Sequence, residues 1–457
     1  MTIFSRYKAQ YIANLRLAIP VAISQLGYIA VTFADNAMTG AYGGTDPVPL
    51  SAVAFGGIVC YILFYLGVGI TLGITPLVGE LFVQNKQRES AHYLQSAIVL
   101  YTALGLAIMT LQLALEPMLY HLGQPREVVD MARPYYRLMS YSTLPVMLFG
   151  AFKQFLEGIG NTKVAMVILI FTNVANIALN YIFIFGHCGF EPMGAFGAGL
   201  ATLVSRIFCP IIIVVCFVAR PRLRNYLRMF SRDNAWIANF KNLLRIGFPI
   251  AGQMTLEASA WVVTGIMMGW FGTVAISANQ ISTTYGNCAF MMVLSLGSAT
   301  TIRVAHCFGR RDIGQMRSAI FASVHLTLMW SITITSCFIL LRHLMPLPFS
   351  DNTEVIALAS QMIILYAAYQ IFDSLQCVFV GVLRGMQDVK PIAYISFMAY
   401  VVLNIPVGYF VAFVLGCGAK GLITGYIVGL STAAIFYGLR IRKNLHRSAV
   451  SEQAQLN

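Results

Sequence analysis

Long apolar runs, each cut by a short stretch of charged or turn-forming residues, alternate along the entire chain. A helix needs about 20 mainly apolar residues to cross the hydrocarbon of a bilayer, and these runs match that length rather than the shorter two-residue alternation of an outer-membrane barrel strand. The pattern predicts twelve spans, roughly 12–36, 50–79, 92–117, 132–156, 164–186, 194–218, 245–271, 275–302, 317–343, 355–383, 391–414 and 419–440. The predicted fold class is therefore an all-α integral membrane protein.

The longest polar interruption, 219–247, divides the spans into six and six. The expected domains are an N-terminal lobe over 1–218, a cytoplasmic connector over 219–244, a C-terminal lobe over 245–440 and a cytoplasmic tail over 441–457. The halves echo one another: "LRLAIPVAISQ" with "LRIGFPIAGQ", "EGIGNTK" with "RGMQDVK", and "ANIALNYIFIFG" with "VLNIPVGYFVAF". Because each half holds an even number of spans, both have the same topology and are related by an axis along the membrane normal. Two pseudo-symmetric six-helix lobes around a central cavity are expected.

Charge distribution sets the orientation. About 24 of the 30 Lys and Arg fall in the termini and the loops after even-numbered spans, so both ends are expected in the cytoplasm. The N-terminal segment runs straight into the first span without a small-residue cleavage site, and is expected to be retained. Composition agrees: of 457 residues, 58% are hydrophobic and 10% charged, too few charges for a soluble surface. The net charge of +13 is accounted for by membrane orientation, and no arginine-rich arm or aromatic-interleaved basic motif points to nucleic acid. Nine scattered cysteines without a CxxC read as buried free thiols. No phosphate-binding GxxxxGK[ST], HExxH or GxSxG motif occurs, so nucleotide hydrolysis and metalloprotease chemistry lack their parts, no enzyme activity is expected, and no cofactor is implied.

Three carboxylates lie well inside spans: Asp35, Glu257 and Asp373. Each costs about 2.5 to 3.5 kcal/mol at the bilayer centre on insertion scales, so each calls for compensation or use. The structural reading is a neutral or ion-paired acid tying helices together, a role Arg206 could fill for Asp35. The functional reading starts from Tyr369 and Asp373, four apart and so on one helical face, in the same half as Glu257. Two acids sharing a low-dielectric site cannot both stay ionised without a cation between them, which makes Glu257, Asp373 and Tyr369 a candidate site for Na⁺ or H⁺. In the other half, Asn173, Asn176 and Asn180 form a polar stripe that, with Asp35, suggests a second pocket or a helix-gluing seam. Gln25, Gln253, Asn279 and Gln280 are further intramembrane polar groups, of which Gln25, Asn279 and Gln280 are candidate substrate contacts. The many Phe, Tyr and Met residues can line a cavity that tolerates varied ligands.

Taken together, "LAIPVAISQ" followed by "FADNAMTG", "FLEGIGNTK", "NYIFIFG", "GFPIAGQMTLEASAW" and "YQIFDSLQCVFVGVLRGMQDVK" resemble the multidrug and toxic compound extrusion (MATE) family, especially its NorM-type bacterial branch, along nearly the whole chain. That resemblance implies an antiporter in the bacterial inner membrane that exports lipophilic, often cationic compounds in exchange for Na⁺ or H⁺. It also implies that Glu257 and Asp373 are the cation-site acids with Tyr369 accessory, and that Asp35, Asn176 and Asn180 form the N-terminal polar site. Membrane lipids and small organic cations are the implied partners. A monomer is expected, since two lobes in one chain form a complete pathway. The alternative is a flippase for lipid-linked oligosaccharide, a related two-lobe family; its cavity should be rich in Arg or Lys, whereas Arg206 is the one basic residue plainly inside a span.

Overall fold

A computed structural model describes the backbone of residues 3–44, 48–122, 125–231 and 236–456, and side chains only over 7–447 within those stretches. The described residues form helices and turns and no strand. In order these are α1 (Ile3–Gly43), α2 (Val48–Thr71), α3 (Ile74–Val83), α4 (Gln87–Leu115), α5 (Arg126–Tyr141), α6 (Thr143–Gly158), α7 (Thr162–Phe185), α8 (Gly194–Ala219) and α9 (Pro221–Arg228). They continue with α10 (Asn239–Gly269), α11 (Thr273–Gly309), α12 (Ile313–Leu341), α13 (Thr353–Gly385), α14 (Lys390–Ser396), α15 (Ile405–Tyr409) and α16 (Ala419–Leu456).

Ten of the described helical stretches are long and apolar enough to cross a membrane, against the twelve spans expected. The two exceptions have local causes. The expected fourth span is split into α5 and α6, with Ser142 between them. The expected seventh lies inside α10, long enough at 31 residues but interrupted by Gln253, Thr255 and Glu257. The nine cysteines are all free, and four of them, Cys188, Cys288, Cys337 and Cys417, are exposed rather than buried as the sequence suggests.

The chain divides into two compact units, Ile23–Ala251 and Met1–Ala22 with Gly252–Asn457. The first 22 residues, assigned by sequence to the N-terminal lobe, thus group with the C-terminal half. Hydrogen bonds explain the grouping: Asn14 donates to the Ser323 hydroxyl at 2.8 Å, the Tyr11 hydroxyl meets His325 Nδ1 at 3.0 Å, and Arg303 donates to Gln10. Each unit boundary falls two residues beyond a proline inside a long helix, Pro20 in α1 and Pro249 in α10, where the missing N–H weakens helical continuity.

In the unit Ile23–Ala251, the end of α4 is clamped to α5 by Glu116, which accepts from Arg133 and Arg137, each at 2.7 Å. Helices α1 and α7 approach closely at Gly27, where a Cβ would stand 2.5 Å from the Asn173 amide nitrogen. In the other unit, α14 and α15 belong to one stretch, Lys390–Val414, interrupted by π-helical turns at Phe397–Asn404 and Phe410–Val414. Pro406 supplies the cause of the irregular register, because it lacks the N–H that would continue the α ladder. Helix α16 presses its backbone against this stretch: a Cβ at Gly425 would stand 2.3 Å from the Asn404 carbonyl oxygen, and one at Gly429 would stand 2.6 Å from that of Ala399.

Candidate functional site

In the C-terminal unit, the α10 sequence "GQMTLE" puts Gln253 and Glu257 one turn apart on one face. The Gln253 amide donates to Glu257 Oε2 at 2.9 Å, and its carbonyl oxygen accepts from Arg384 Nη2 at 2.6 Å. A relay of guanidinium, amide and carboxylate therefore joins the end of α13 to the middle of α10. The predicted span ends at 383; in the structure α13 continues through Gly385, and Arg384, in its last turn, reaches inward to Gln253. No carboxylate lies within 4.0 Å of it among the described residues, so Glu257 is influenced by its charge without being locked to it.

Asp373 lies two turns beyond Tyr366 on α13 and is 1% exposed. Its Oδ2 has no hydrogen-bond partner among the described protein atoms. Glu257 and Tyr369 are the side chains that act on it electrostatically, so the predicted trio is brought together. Around it stand further buried polar groups, the hydroxyls of Tyr400 and Tyr426 and the side chain of Asn404; Tyr400 interacts with Glu257, and Tyr426 with Asn404. A carboxylate and neighbouring phenol oxygens offer hard ligands of the kind a small cation takes. No group of three or more His, Cys, Asp or Glu gathers among the described residues.

Aromatic rings wall the site. Trp261 and Tyr426 stack with centroids 4.6 Å apart, while Tyr369 meets Trp261 edge-on at 6.1 Å, Tyr366 at 5.7 Å and Tyr426 at 5.9 Å. The Tyr366 hydroxyl donates to Asn279 at 3.0 Å, which brings that candidate into the cluster. Gln280 is exposed and Gln25 is partly buried, and neither side chain joins a hydrogen-bonded cluster among the described residues. Sequence reasoning missed Tyr400, Asn404 and Tyr426. The signal for Asn404 was present, since "LNIPVG" repeats the spacing of Asn176 in "ANIALN", with the helix-disrupting proline two residues on.

In the unit Ile23–Ala251, Asn180 donates to the Asp35 carboxylate and also to Asn176 Oδ1 at 3.1 Å, and Asn176 donates to the Ser205 hydroxyl at 3.1 Å. Asp35, Asn176 and Asn180 therefore form one hydrogen-bonded chain, extended by the unforeseen Ser205 on α8. Both amides are buried, and Asn180 Oδ1 has no partner among the described residues. An acceptor oxygen thus stands open beside the carboxylate. Asp35 and Arg206 do not pair: no contact within 4.0 Å joins them, and Arg206 donates instead to the Ser142 hydroxyl at 2.7 Å. The helix-tying ion pair considered from sequence is absent among the described residues.

Comparison with known proteins shows the family. The MatE family model matches the chain twice, over residues 20–182 and 249–410, so the two echoing halves are two copies of one domain. The multidrug resistance protein NorM of Vibrio vulnificus is 28% identical over 457 residues, covering 99% of each chain, and the multidrug resistance protein MdtK of Edwardsiella ictaluri is 31% identical over 442 residues, covering 94% of each. Among solved structures, the eukaryotic MATE transporter AtDTX14 superposes with a TM-score of 0.85 at 19% identity, covering 97% of this chain and 98% of its own, a likeness of fold. With both halves matched and relatives this similar along nearly the whole length, the chain belongs to the MatE family of MATE transporters.

Proposed function

We propose that this protein is a secondary active multidrug efflux transporter that exports lipophilic, often cationic compounds by antiport with Na⁺ or H⁺. Glu257 and Asp373 exchange the coupling cation, with Tyr369 as an accessory ligand, while Asp35, Asn176 and Asn180 form a second polar site for proton or substrate. The protein works as a monomer in the bacterial inner membrane, with both termini in the cytoplasm.

The observation that carries the reading is Asp373: a buried carboxyl, beside a second acid, with an oxygen that no described protein atom satisfies. A buried acid with an unsatisfied oxygen at this depth is costly unless something binds it, and a cation between the two acids offsets their mutual repulsion. The names of the relatives, multidrug resistance proteins along nearly full length, support drug-like cargo. Ion and cargo need only a coupling of about 1 to 3 kcal/mol, roughly 5- to 150-fold in affinity, for useful exchange. Glu257→Gln and Asp373→Asn each abolish gradient-driven dye efflux from proteoliposomes while leaving the folded monomer intact. Normal efflux in both variants overturns the assignment of these acids.

A further inference from the structure

Within the unit that joins Met1–Ala22 to Gly252–Asn457, three helices enclose a cavity of about 280 Å³ that the efflux reading leaves unused. Leu15, Ala18 and Ala22 of α1 line it, with Leu296 of α11 and Leu326 and Met329 of α12. Ile19 and Met329, both in its wall, are 50% and 48% exposed, so the cavity is open along that edge. The Asn14–Ser323 and Tyr11–His325 bonds tie α1 to α12 on the side of the N terminus and hold the helices at this spacing.

The walls select the occupant. Their polar side chains are already satisfied: the Ser295 hydroxyl donates to the Met291 carbonyl at 2.8 Å, that of Thr333 to the Met329 carbonyl at 2.8 Å, and Trp330 Nε1 to the Ala289 carbonyl at 3.3 Å. A polar drug would gain no partner there, and the space falls short of the roughly 300 to 1,000 Å³ of drug-sized pockets. A hydrocarbon chain gives up no hydrogen bond by entering. Charge identifies what such a chain is attached to. Lys8, Ile12, Leu15 and Ile19 recur at i, i+4, i+7 and i+11, so they share one face of α1; all four are exposed, and exposed Arg16 borders the stripe. No carboxylate lies within 4.0 Å of Lys8 or Arg16 among the described residues. Measured along α1, the cavity begins about 10 Å from Lys8 and ends about 21 Å from it. Those depths bracket the roughly 15 Å of hydrocarbon in one leaflet. We infer that the cavity holds one acyl chain of an anionic phospholipid from the leaflet on the N-terminal side, with its phosphate at Lys8 and Arg16. This lipid site goes beyond the efflux reading and does not depend on it.

Trp330 supplies the probe, because bromine on an acyl chain quenches tryptophan on contact. Phosphatidylglycerol and phosphatidylcholine with dibrominated chains are titrated into detergent-solubilised wild-type and Trp330→Phe protein, and the difference isolates Trp330. The expected quenching saturates at one phosphatidylglycerol per protein. Phosphatidylcholine binds about 5- to 25-fold more weakly, from about fivefold for each basic side chain. Lys8→Gln and Arg16→Gln each weaken phosphatidylglycerol about fivefold and leave phosphatidylcholine within about twofold. Ala22→Leu fills the cavity and abolishes saturable quenching by both lipids. The inference is overturned if quenching rises without saturating, if wild-type protein binds the two lipids equally, or if saturable quenching survives Ala22→Leu. Displacement of the lipid by an exported dye would assign the cavity to cargo and overturn it as well. Should Ala22→Leu fail to fold, Lys8→Gln decides, and unchanged affinity for phosphatidylglycerol overturns the inference. None of these outcomes bears on ion-driven efflux, so the two readings fail separately.

Discussion

Removing the positive charge of Arg384 is predicted to tighten the hold of the cation site on its ion. Arg384 reaches Gln253 at 2.6 Å, and Gln253 reaches Glu257 at 2.9 Å. With roughly 7 Å then separating guanidinium from carboxylate and an effective dielectric of about 20, the two charges attract by about 2 kcal/mol. The same geometry repels an incoming cation from Glu257 by a similar amount, on the order of 30-fold in affinity. Arg384→Gln therefore lowers the driving-ion concentration for half-maximal dye efflux by about that factor, and lowers the maximal rate because release of the ion to the cytoplasm slows. Arg384→Lys restores most of the wild-type ion dependence. The assay is dye efflux from proteoliposomes across a series of imposed driving-ion concentrations. A half-maximal concentration that stays the same in Arg384→Gln, or rises, refutes the idea that this arginine competes with the ion through Gln253.

Three further outcomes follow from particular contacts. Gly425→Ala drives a methyl group to within 2.3 Å of the Asn404 carbonyl oxygen, and lowers stability by about 1 to 3 kcal/mol, read as a drop in the melting temperature of detergent-solubilised protein. Asn180→Ala strips Asp35 and Asn176 of their shared donor, costing about 1 to 3 kcal/mol of stability and, on the proposed reading, weakening dye binding in the same preparation; unchanged melting would show that the Asp35–Asn180 bond carries no weight. Asp388, outside the spans, accepts from Arg440 at 2.6 and 3.1 Å and from Asn444 at 2.6 Å. Partial burial works to raise its carboxyl, but hydrogen bonds from Arg440 and Asn444 outweigh it and hold the group below the usual carboxylate range. A depressed carboxyl contributes stability that is present above its ordinary value of 3.8 and is lost as pH falls through the lower folded value, so Asp388→Asn destabilises at neutral pH, by at most about 1 kcal/mol, and the difference disappears in strong acid.

Much of this molecule is legible in the sequence because lipid imposes a strict rule: a span must be long, apolar and helical. Periodicity along one helix was equally readable. It put Tyr369 with Asp373, and Asn176 with Asn180, because i, i+4 neighbours share a face whatever lies opposite. What crosses between helices was not readable. Arg384 looked like a topology signal at the end of a span, and the partner that draws it inward, Gln253, lies 131 residues away. Ser205 is an ordinary small residue on α8 until α7 brings Asn176 to it. Arg206 and Asp35 were natural partners by charge, yet the break between α5 and α6 offers Ser142 to the guanidinium instead. The site also cost the sequence pattern some of its clarity. Gln253 and Glu257 dilute the apolar run of α10, and Pro406 disturbs the helix that holds Tyr400 and Asn404.

The most direct test of cation-for-cargo exchange at Glu257 and Asp373 is dye efflux from proteoliposomes under an imposed Na⁺ gradient and, separately, an imposed pH gradient. Wild-type protein is predicted to drive uphill dye movement with at least one gradient, and Glu257→Gln and Asp373→Asn with neither, while both variants remain folded monomers. Uphill transport that persists in the two variants, or dye movement in wild-type protein that ignores both gradients, would contradict the account.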